Sequence, residues 1–362
     1  MGYEIDFLPV GNGDSSGDAI AVRWGAPGSY KVLIYDGGTA ESGEALVKHV
    51  REHYQTERVD YVVSSHPDND HASGLSVVLE ELDVGELWMH RPWEYSAVIR
   101  DYFHDGRLTD ESLAERLKTK MRAAYALEEL ATENGIPIYE PFQGSAIGPF
   151  TVLSPEHDWY VHELIAAFEK SPKQKVANSV TIDVLGILAE AMRKAGAWIA
   201  ETWGVEQLRE DVETSAENES SVILFADFDG NGVLLTGDAG IQALSRAADF
   251  AGLCGVDLPS RLKFVQVPHH GSRHNVSTST LDRIIGPRRL TNDGEFSKTA
   301  FVSAGKESTT HPRKMVTNAF IRRGAKPIPT KGWKIWHRDG MPERGWGPAP
   351  TLGFESQVES WD

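Results

Sequence analysis

Residues 64–75, SSHPDNDHASGL, place His66, Asp68, Asp70 and His71 within six positions. Ionisable groups that close repel one another or lose hydration unless something binds between them. Carboxylates and neutral imidazoles are ligands that divalent cations prefer, so a metal resolves the conflict. Two later segments carry the same chemistry: Asp238 closes LLTGD, and His269 and His270 stand in VPHHGS. Together these side chains supply enough ligands for two ions. Chance clustering is the weaker reading once three segments share the pattern.

Such ions would lower the pKa of water toward neutrality and clamp the attacking and leaving oxygens of a displacement. A phosphodiester, being negative, suits a cationic centre. His311 and Lys306, in VSAGKESTTHP, are candidates for holding phosphate or for general-acid work. For His311 the alternative is a structural role before Pro312. Asp14 and Asp36, beside early strands, read as orienting or turn residues.

These residues must be held by something. Strands are expected at Glu4–Val10, Ala19–Trp24, Lys31–Tyr35 and Val59–Ser64, each rich in Val, Ile or aromatics. The metal-ligand loop would follow the fourth, with a helix starting near Ser73 and carrying Leu75, Val78, Leu79 and Leu82 on one face. Residues 94–134 read as helical, with a Ser112/Glu115 capping box and an apolar stripe of Leu113, Leu117, Met121, Ala124 and Leu127. A strand pair is expected near Ile138–Tyr139 and Phe150–Leu153. A second helical block spans about 155–215, with the stripe Val184, Leu188, Met192, Ala195 and Ile199.

Strands resume at Ser221–Phe225, Gly232–Leu235, Phe264–Val267 and Thr299–Val302, several ending in the polar motifs above. Met315, Val316, Ala319 and Phe320 mark a closing helix, stopped by Gly324 with Pro327 beyond. DFDGNG at 227–232 matches parts of a calcium loop, but apolar strands flank it, so Asp229–Gly230 and Asn231–Gly232 read as hairpin-turn pairs. The chain therefore reads as one α/β domain over 1–362 with two helical insertions.

Composition narrows the function. Lys and Arg total 36 against 53 Asp and Glu, for a net charge of −17, unlike a general nucleic-acid coat. Between Lys306 and Arg338, however, nine cationic residues meet one acid, Glu307, with Trp333 and Trp336 among them. That stretch reads either as a phosphate-attracting face with stacking platforms or, the favoured reading, as a solvated surface around ordinary core tryptophans. Cys254 is the only cysteine, so no internal disulfide and no cysteine-rich zinc site can form. The N-terminal MGYEIDFLPV lacks the basic and apolar regions of a signal peptide, and no apolar run has membrane-spanning length. The expectation is a soluble cytoplasmic protein with no membrane association.

The ordered set of His66-x-Asp68-x-Asp70-His71, Thr-Gly-Asp238 and His269-His270-Gly-Ser resembles the metallo-β-lactamase superfamily. FLPVGNGDS, LIYDGG and VSAGKESTTHP are similar to segments of the C-terminal hydrolase domain of ComEC-type DNA-uptake proteins. The resemblance implies an αββα sandwich with its metals at one sheet edge. It also implies one site with His66, Asp68 and Asn218, and another with Asp70, His71 and His269 or His270, Asp238 bridging. Asp68 stands where most relatives have histidine, and Asn218 where a further histidine is usual. That exchange shifts the first site's preference toward manganese or magnesium, or leaves it weakly filled, so that manganese is at least as plausible as zinc. The expected activity is phosphodiester hydrolysis, DNA being a candidate substrate delivered with the help of a protein partner. The rivals are hydrolysis of a small ester, lactone or phosphorylated metabolite, and a non-catalytic metal-binding module.

Overall fold

The computed structural model describes residues 1–13, 17–103, 107–168 and 198–361. Two seven-stranded sheets face each other. The first contains β1 (Gly2–Phe7), β2 (Ala19–Gly25), β3 (Lys31–Gly37), β4 (Arg58–Val63), β5 (Asp83–Trp88), β6 (Ile138–Tyr139) and, from the far end of the chain, β15 (Ile335–Asp339). The second contains β7 (Ala146–Ile147), β8 (Phe150–Ser154), β10 (Ile223–Phe228), β11 (Asn231–Leu235), β12 (Leu262–Gln266), β13 (Lys298–Val302) and β14 (Ala325–Pro329). Their orders are β15-β1-β2-β3-β4-β5-β6 and β14-β13-β12-β11-β10-β8-β7. A separate ribbon pairs β9 (Trp198–Ala200) with β16 (Gln357–Glu359).

The strands are apolar on both faces because both faces are covered. In β2, Ile20 and Val22 enter the core between the sheets, while Ala19 and Ala21 meet the outer helical layer. Phe7, Phe264 and Phe301 lock the inner core edge to face, with Phe7–Phe301 centroids 5.3 Å apart and Phe264–Phe301 centroids 5.1 Å apart. The helices α1 (Ala40–His49), α2 (Asn69–Glu81), α3 (Asp110–Lys120) and α4 (Arg122–Glu133), with α5 (Ile241–Leu253), α6 (Thr278–Ile284) and α7 (Lys314–Arg322), pack their apolar stripes on the outer faces. This is the αββα layering expected from the sequence.

Several local expectations are corrected. Helix α2 begins at Asn69, not Ser73, so Asp70 and His71 lie in its first turn, where a carboxylate suits the helix dipole. The capping box of α3 joins Thr109 to Ser112, one turn earlier than the Ser112/Glu115 pair. The stripe from Leu113 to Leu127 is buried as expected, but Met121 leaves helical geometry at φ −107° and ψ 43° and divides it between α3 and α4. The segments at 138–139 and 150–154 are strands that never pair; β6 ends the first sheet and β8 joins the second. Of the second helical stripe, Val184, Leu188, Met192 and Ala195 lie outside the described residues, and Ile199 lies on a strand. Asp229 and Gly230 both have positive φ, 53° and 92°, and form a two-residue turn between Phe228 and Asn231. That is the hairpin, in place of a calcium loop.

His90 shows what the core tolerates. Neither ring nitrogen has a hydrogen-bond partner, and the ring stacks on Tyr160 with centroids 4.2 Å apart. Burial pushes its pKa down to about 3, with His157 adding to the fall. A histidine that stays neutral when folded but protonates when unfolded withdraws stability as pH falls below its ordinary value of 6.5. At pH 5 that difference is about 2 kcal/mol. His90→Phe should therefore lose about 2 kcal/mol less than the wild type between pH 8 and pH 5, as read by urea unfolding at both pH values.

Candidate metal centre

Six of the ionisable residues singled out from sequence, Asp36, His66, His71, Asp238, His269 and His270, meet at one edge of the sandwich. Asp36 sits near the end of β3, His66 follows β4, Asp238 follows β11, and His269 and His270 follow β12. β3 runs parallel to β4 and β11 to β12, so each pair delivers its polar ends at the same level. Asp18 arrives from the opposite chain direction, just before antiparallel β2. The first half of the chain thus contributes one wall of the centre and the second half the other.

Close backbone approach sets helix α2 in place. A Cβ on Gly74 would meet the Gly37 carbonyl oxygen at 2.0 Å and that of Thr39 at 2.5 Å. Only glycine lets the helix lie this near the end of β3, and His71 is carried in with it. On the other wall, His269 and His270 both adopt left-handed backbone, φ 47° and 56°. Such residues cost about 1–3 kcal/mol each and persist where the surroundings over-determine them. The result here is that two neighbouring rings turn toward the same carboxylate.

One carboxylate fixes the protons on two of the imidazoles. Asp36, fully buried and itself at φ 57°, accepts from the Ser65 amide at 2.7 Å and the Ser65 hydroxyl at 2.6 Å. It also accepts from His71 Nδ1 at 2.9 Å. Because the Ser65 proton goes to Asp36, His66 Nδ1, 2.8 Å from Ser65 Oγ, must be the donor in that contact. Both rings therefore carry hydrogen on Nδ1, which leaves Nε2 as the atom each would offer to a cation. From the second sheet, Gln266 donates to Asp18 Oδ2 at 2.7 Å and accepts from the Thr236 and Gly237 amides at 2.8 and 3.1 Å. It ties Asp18 to the turn that presents Asp238.

Asp238 Oδ2 is ringed by imidazole nitrogens. His71 Nε2 is 3.4 Å away, His270 Nε2 3.7 Å, His269 Nε2 3.8 Å and His66 Nε2 3.9 Å. His66 Nε2, His71 Nε2, Asp238 Oδ1 and His270 Nδ1 are buried without a hydrogen-bond partner. Ligands each about 2.1 Å from one ion stand about 3.4 Å apart at a tetrahedral angle. Buried nitrogens and a carboxylate at these separations, short of hydrogen-bond partners, fit a divalent ion. Two tight groups of potential ligands stand out among the described residues, Asp36–His66–His71 and His71–Asp238–His270. Since the Asp36 oxygens are engaged by Ser65 and His71, the second group with His66 added is the better cradle.

The electrostatics agree. Burial opposes the Asp238 charge, yet His269, His71 and His270 hold its pKa well below the ordinary range. Burial likewise works against a charged His71, but Asp238 and Asp36 outweigh it and raise its pKa, so a cation entering between them would displace the proton from Nε2. His270 is pushed down to about 3, chiefly by burial, and stays a neutral ligand. Asp18 is pushed up to about 7 by burial, with Asp238 and Asp36 adding to the rise and His71 opposing it. Three buried carboxylates this close favour a cation between them.

The other residues singled out from sequence divide. Asp68, about one-third exposed, approaches His66 Nε2 at 3.7 Å on the open side. Asp70, half-buried, is in neither tight group; successive helical residues diverge by about 100°, and it is the His71 ring that enters. Asn218 spends its amide nitrogen on its neighbours, which leaves Oδ1 as the atom a cation could use. Nδ2 lies 3.0 Å from His269 Nδ1 and 2.7 Å from Thr214 Oγ1, which makes Asn218 a support for His269. His311 stacks nearly parallel to His269 with centroids 6.4 Å apart. Lys306 is exposed, and its stem lies against Gly332. Asp14 lies outside the described residues. Sequence reasoning passed over Asp18, Ser65 and Gln266. For Asp18 the missed signal was a carboxylate placed between a glycine and an apolar strand, the mirror of Asp36 at a strand end.

A model of the metallo-beta-lactamase superfamily matches residues 13–177. The two sheets with their outer helices are consistent with the metallo-β-lactamase αββα sandwich. No curated protein matches the chain. Among solved structures, the metallo-beta-lactamase fold protein YhfI from Bacillus subtilis is 10% identical, covering 93% of this chain and 100% of its own, with a TM-score of 0.40. A long form RNase Z from yeast is 12% identical over 83% of this chain and 36% of its own, with a TM-score of 0.36. The subclass B3 metallo-beta-lactamase MEM-A1, from a soil metagenome library, is 11% identical over 78% of this chain and 85% of its own, with a TM-score of 0.29. Among the described residues, no helix is long and apolar enough to cross a membrane.

Proposed function

We propose that this protein is a metal-dependent hydrolase of phosphodiester bonds. The observation that carries the reading is the ring of imidazole nitrogens around Asp238, several of its members buried without partners. His66, His71, Asp238 and His270 would hold the principal ion, and Asp68, on the open side of His66, would contribute to a second. A divalent ion in this set supplies a Lewis acid for a phosphoryl oxygen and makes water nucleophilic near neutral pH. Manganese and zinc are the proposed metals: the carboxylate-rich set suits the first and the imidazoles suit both.

The chain's own groups do the rest. Asp36 and Ser65 hold the Nδ1 side of His66 and His71, so that Nε2 of each faces inward. His269 and His311, both partly exposed, stack beside the centre, and His311 would return a proton to the departing oxygen. The resemblance of the motif set to ComEC-type hydrolase domains supports a nucleic-acid substrate. The test is turnover of bis-p-nitrophenyl phosphate, a lactone and oligonucleotides with manganese or zinc. Diester and oligonucleotide cleavage, abolished by EDTA and restored by metal, is the expected result. Cleavage of the lactone alone would move the protein to small-ester chemistry, and binding of metal with no turnover would make it a non-catalytic module.

A further inference from the structure

The two sheets leave one side of the sandwich open, between the edge strands β14 and β15. A groove of about 690 Å³ runs there, walled by Trp333, Lys334, Trp336 and Lys326 on one side and the chain around Trp346–Pro350 on the other. Leu352 ties that chain to β14 through the Pro327 carbonyl at 3.0 Å. The groove leads into a second hollow of about 300 Å³ that holds Lys263, Lys298, Lys326 and Arg338. Strand direction orients the whole. Lys263, Lys298 and Lys326 sit at the starts of the parallel strands β12, β13 and β14, the edge opposite the metal centre. Trp333 and Lys334 follow the end of β14, at the edge that carries the metal centre.

The charge here is out of keeping with a chain of net −17. Lys263, Lys298, Lys326 and Lys334 form no ion pair among the described residues. The acid in the smaller hollow is Asp339, and it accepts from Asn231. Burial lowers the pKa of Lys298, and Lys263 and Arg289 lower it further against the opposing pull of Asp257. Burial also lowers that of Lys334, which faces Glu52, Lys48, Asp6 and Arg344. Cations crowded together without partners are relieved by an anion. Trp333 is 69% exposed, so it is no core tryptophan. Lysines on edge strands commonly serve to blunt the edge, but an exposed tryptophan does the reverse, and Lys263 and Lys298 come from interior strands.

We propose that this open side is a track for a single strand of nucleic acid, with a base stacked on Trp333 and phosphates met by Lys334, Lys326, Lys298 and Lys263. A basic groove with an aromatic platform is the arrangement by which unpaired strands are held without sequence preference. The proposal rests on the phosphodiester reading of the metal centre, because the track delivers one end of the strand to that edge.

The test is fluorescence polarisation of a labelled oligothymidylate, run in EDTA so that binding is separated from hydrolysis. Wild type should bind with an affinity whose logarithm falls with log salt at a slope of about −3, as four phosphate contacts require. Lys326→Glu with Lys334→Glu should weaken binding at least tenfold, and Trp333→Ala about tenfold. The same charge change on helix α3, Arg116→Glu with Lys120→Glu, should alter it less than twofold. Equal losses in both pairs, wild-type binding by the groove variants, or a preference for duplex over the single strand would overturn the proposal. Turnover of bis-p-nitrophenyl phosphate by the wild type, which needs no groove, reports separately on the metal centre.

Discussion

Asp238→Ala is expected to lower kcat/KM for bis-p-nitrophenyl phosphate by about a thousandfold or more. The carboxylate is the one group that all four imidazole nitrogens approach, from 3.4 to 3.9 Å. Its loss leaves several histidines facing each other with no anion to draw a cation between them. The transition-state stabilisation supplied by a bound metal is several kcal/mol, and each 1.4 kcal/mol is about tenfold in rate. Metal stoichiometry should fall with activity, while near-ultraviolet circular dichroism stays native. Unchanged turnover in a folded variant would remove Asp238 from the chemistry.

The second large effect is expected at Asp36, which touches no substrate in this account. Asp36→Asn keeps the shape but replaces one acceptor oxygen with a donor. The amide cannot accept from the Ser65 hydroxyl, the Ser65 amide and His71 Nδ1 together. Either His71 or His66 must then move its hydrogen to Nε2, the atom a metal needs bare. Outer partners of this kind change metal affinity by about 10–100-fold. Titration with manganese or zinc should show that loss, with activity recovering as metal is raised. A structural role alone would lower the melting temperature without this rescue. Asp36→Gly is the companion variant, since it relieves the left-handed backbone while still removing the carboxylate.

Much of this centre was legible in the chain because its residues punctuate apolar strands. An apolar run followed by a polar cluster, repeated at His66, Asp238 and His269–His270, marks sheet ends that share an edge. The close packing of His71 with Asp238 and His270 follows from that placement. What could not be read depends on contacts between distant segments. Asp18 is distinguished by Gln266, which reaches it from the second sheet. Asn218 carries a ligand's chemistry, and that its amide nitrogen also supports His269 depends on a partner 51 positions away. Asp70 and His71 are neighbours in sequence, yet an early helix start turns only His71 into a tight cluster. Pairing also escaped local reading: the segments at 138–139 and 150–154 look like partners along the chain, and each joins a different sheet. Trp333 and Trp336 are alike in sequence. Trp336 donates to buried Glu4 at 2.8 Å, whereas Trp333 is exposed on the turn after β14.

The most direct measurement is anomalous diffraction from crystals of the protein loaded with manganese or zinc. The account predicts a peak within bonding distance of His66 Nε2, His71 Nε2, Asp238 and His270. Loaded crystals with no peak between those residues, or with ions bound only elsewhere, would contradict it.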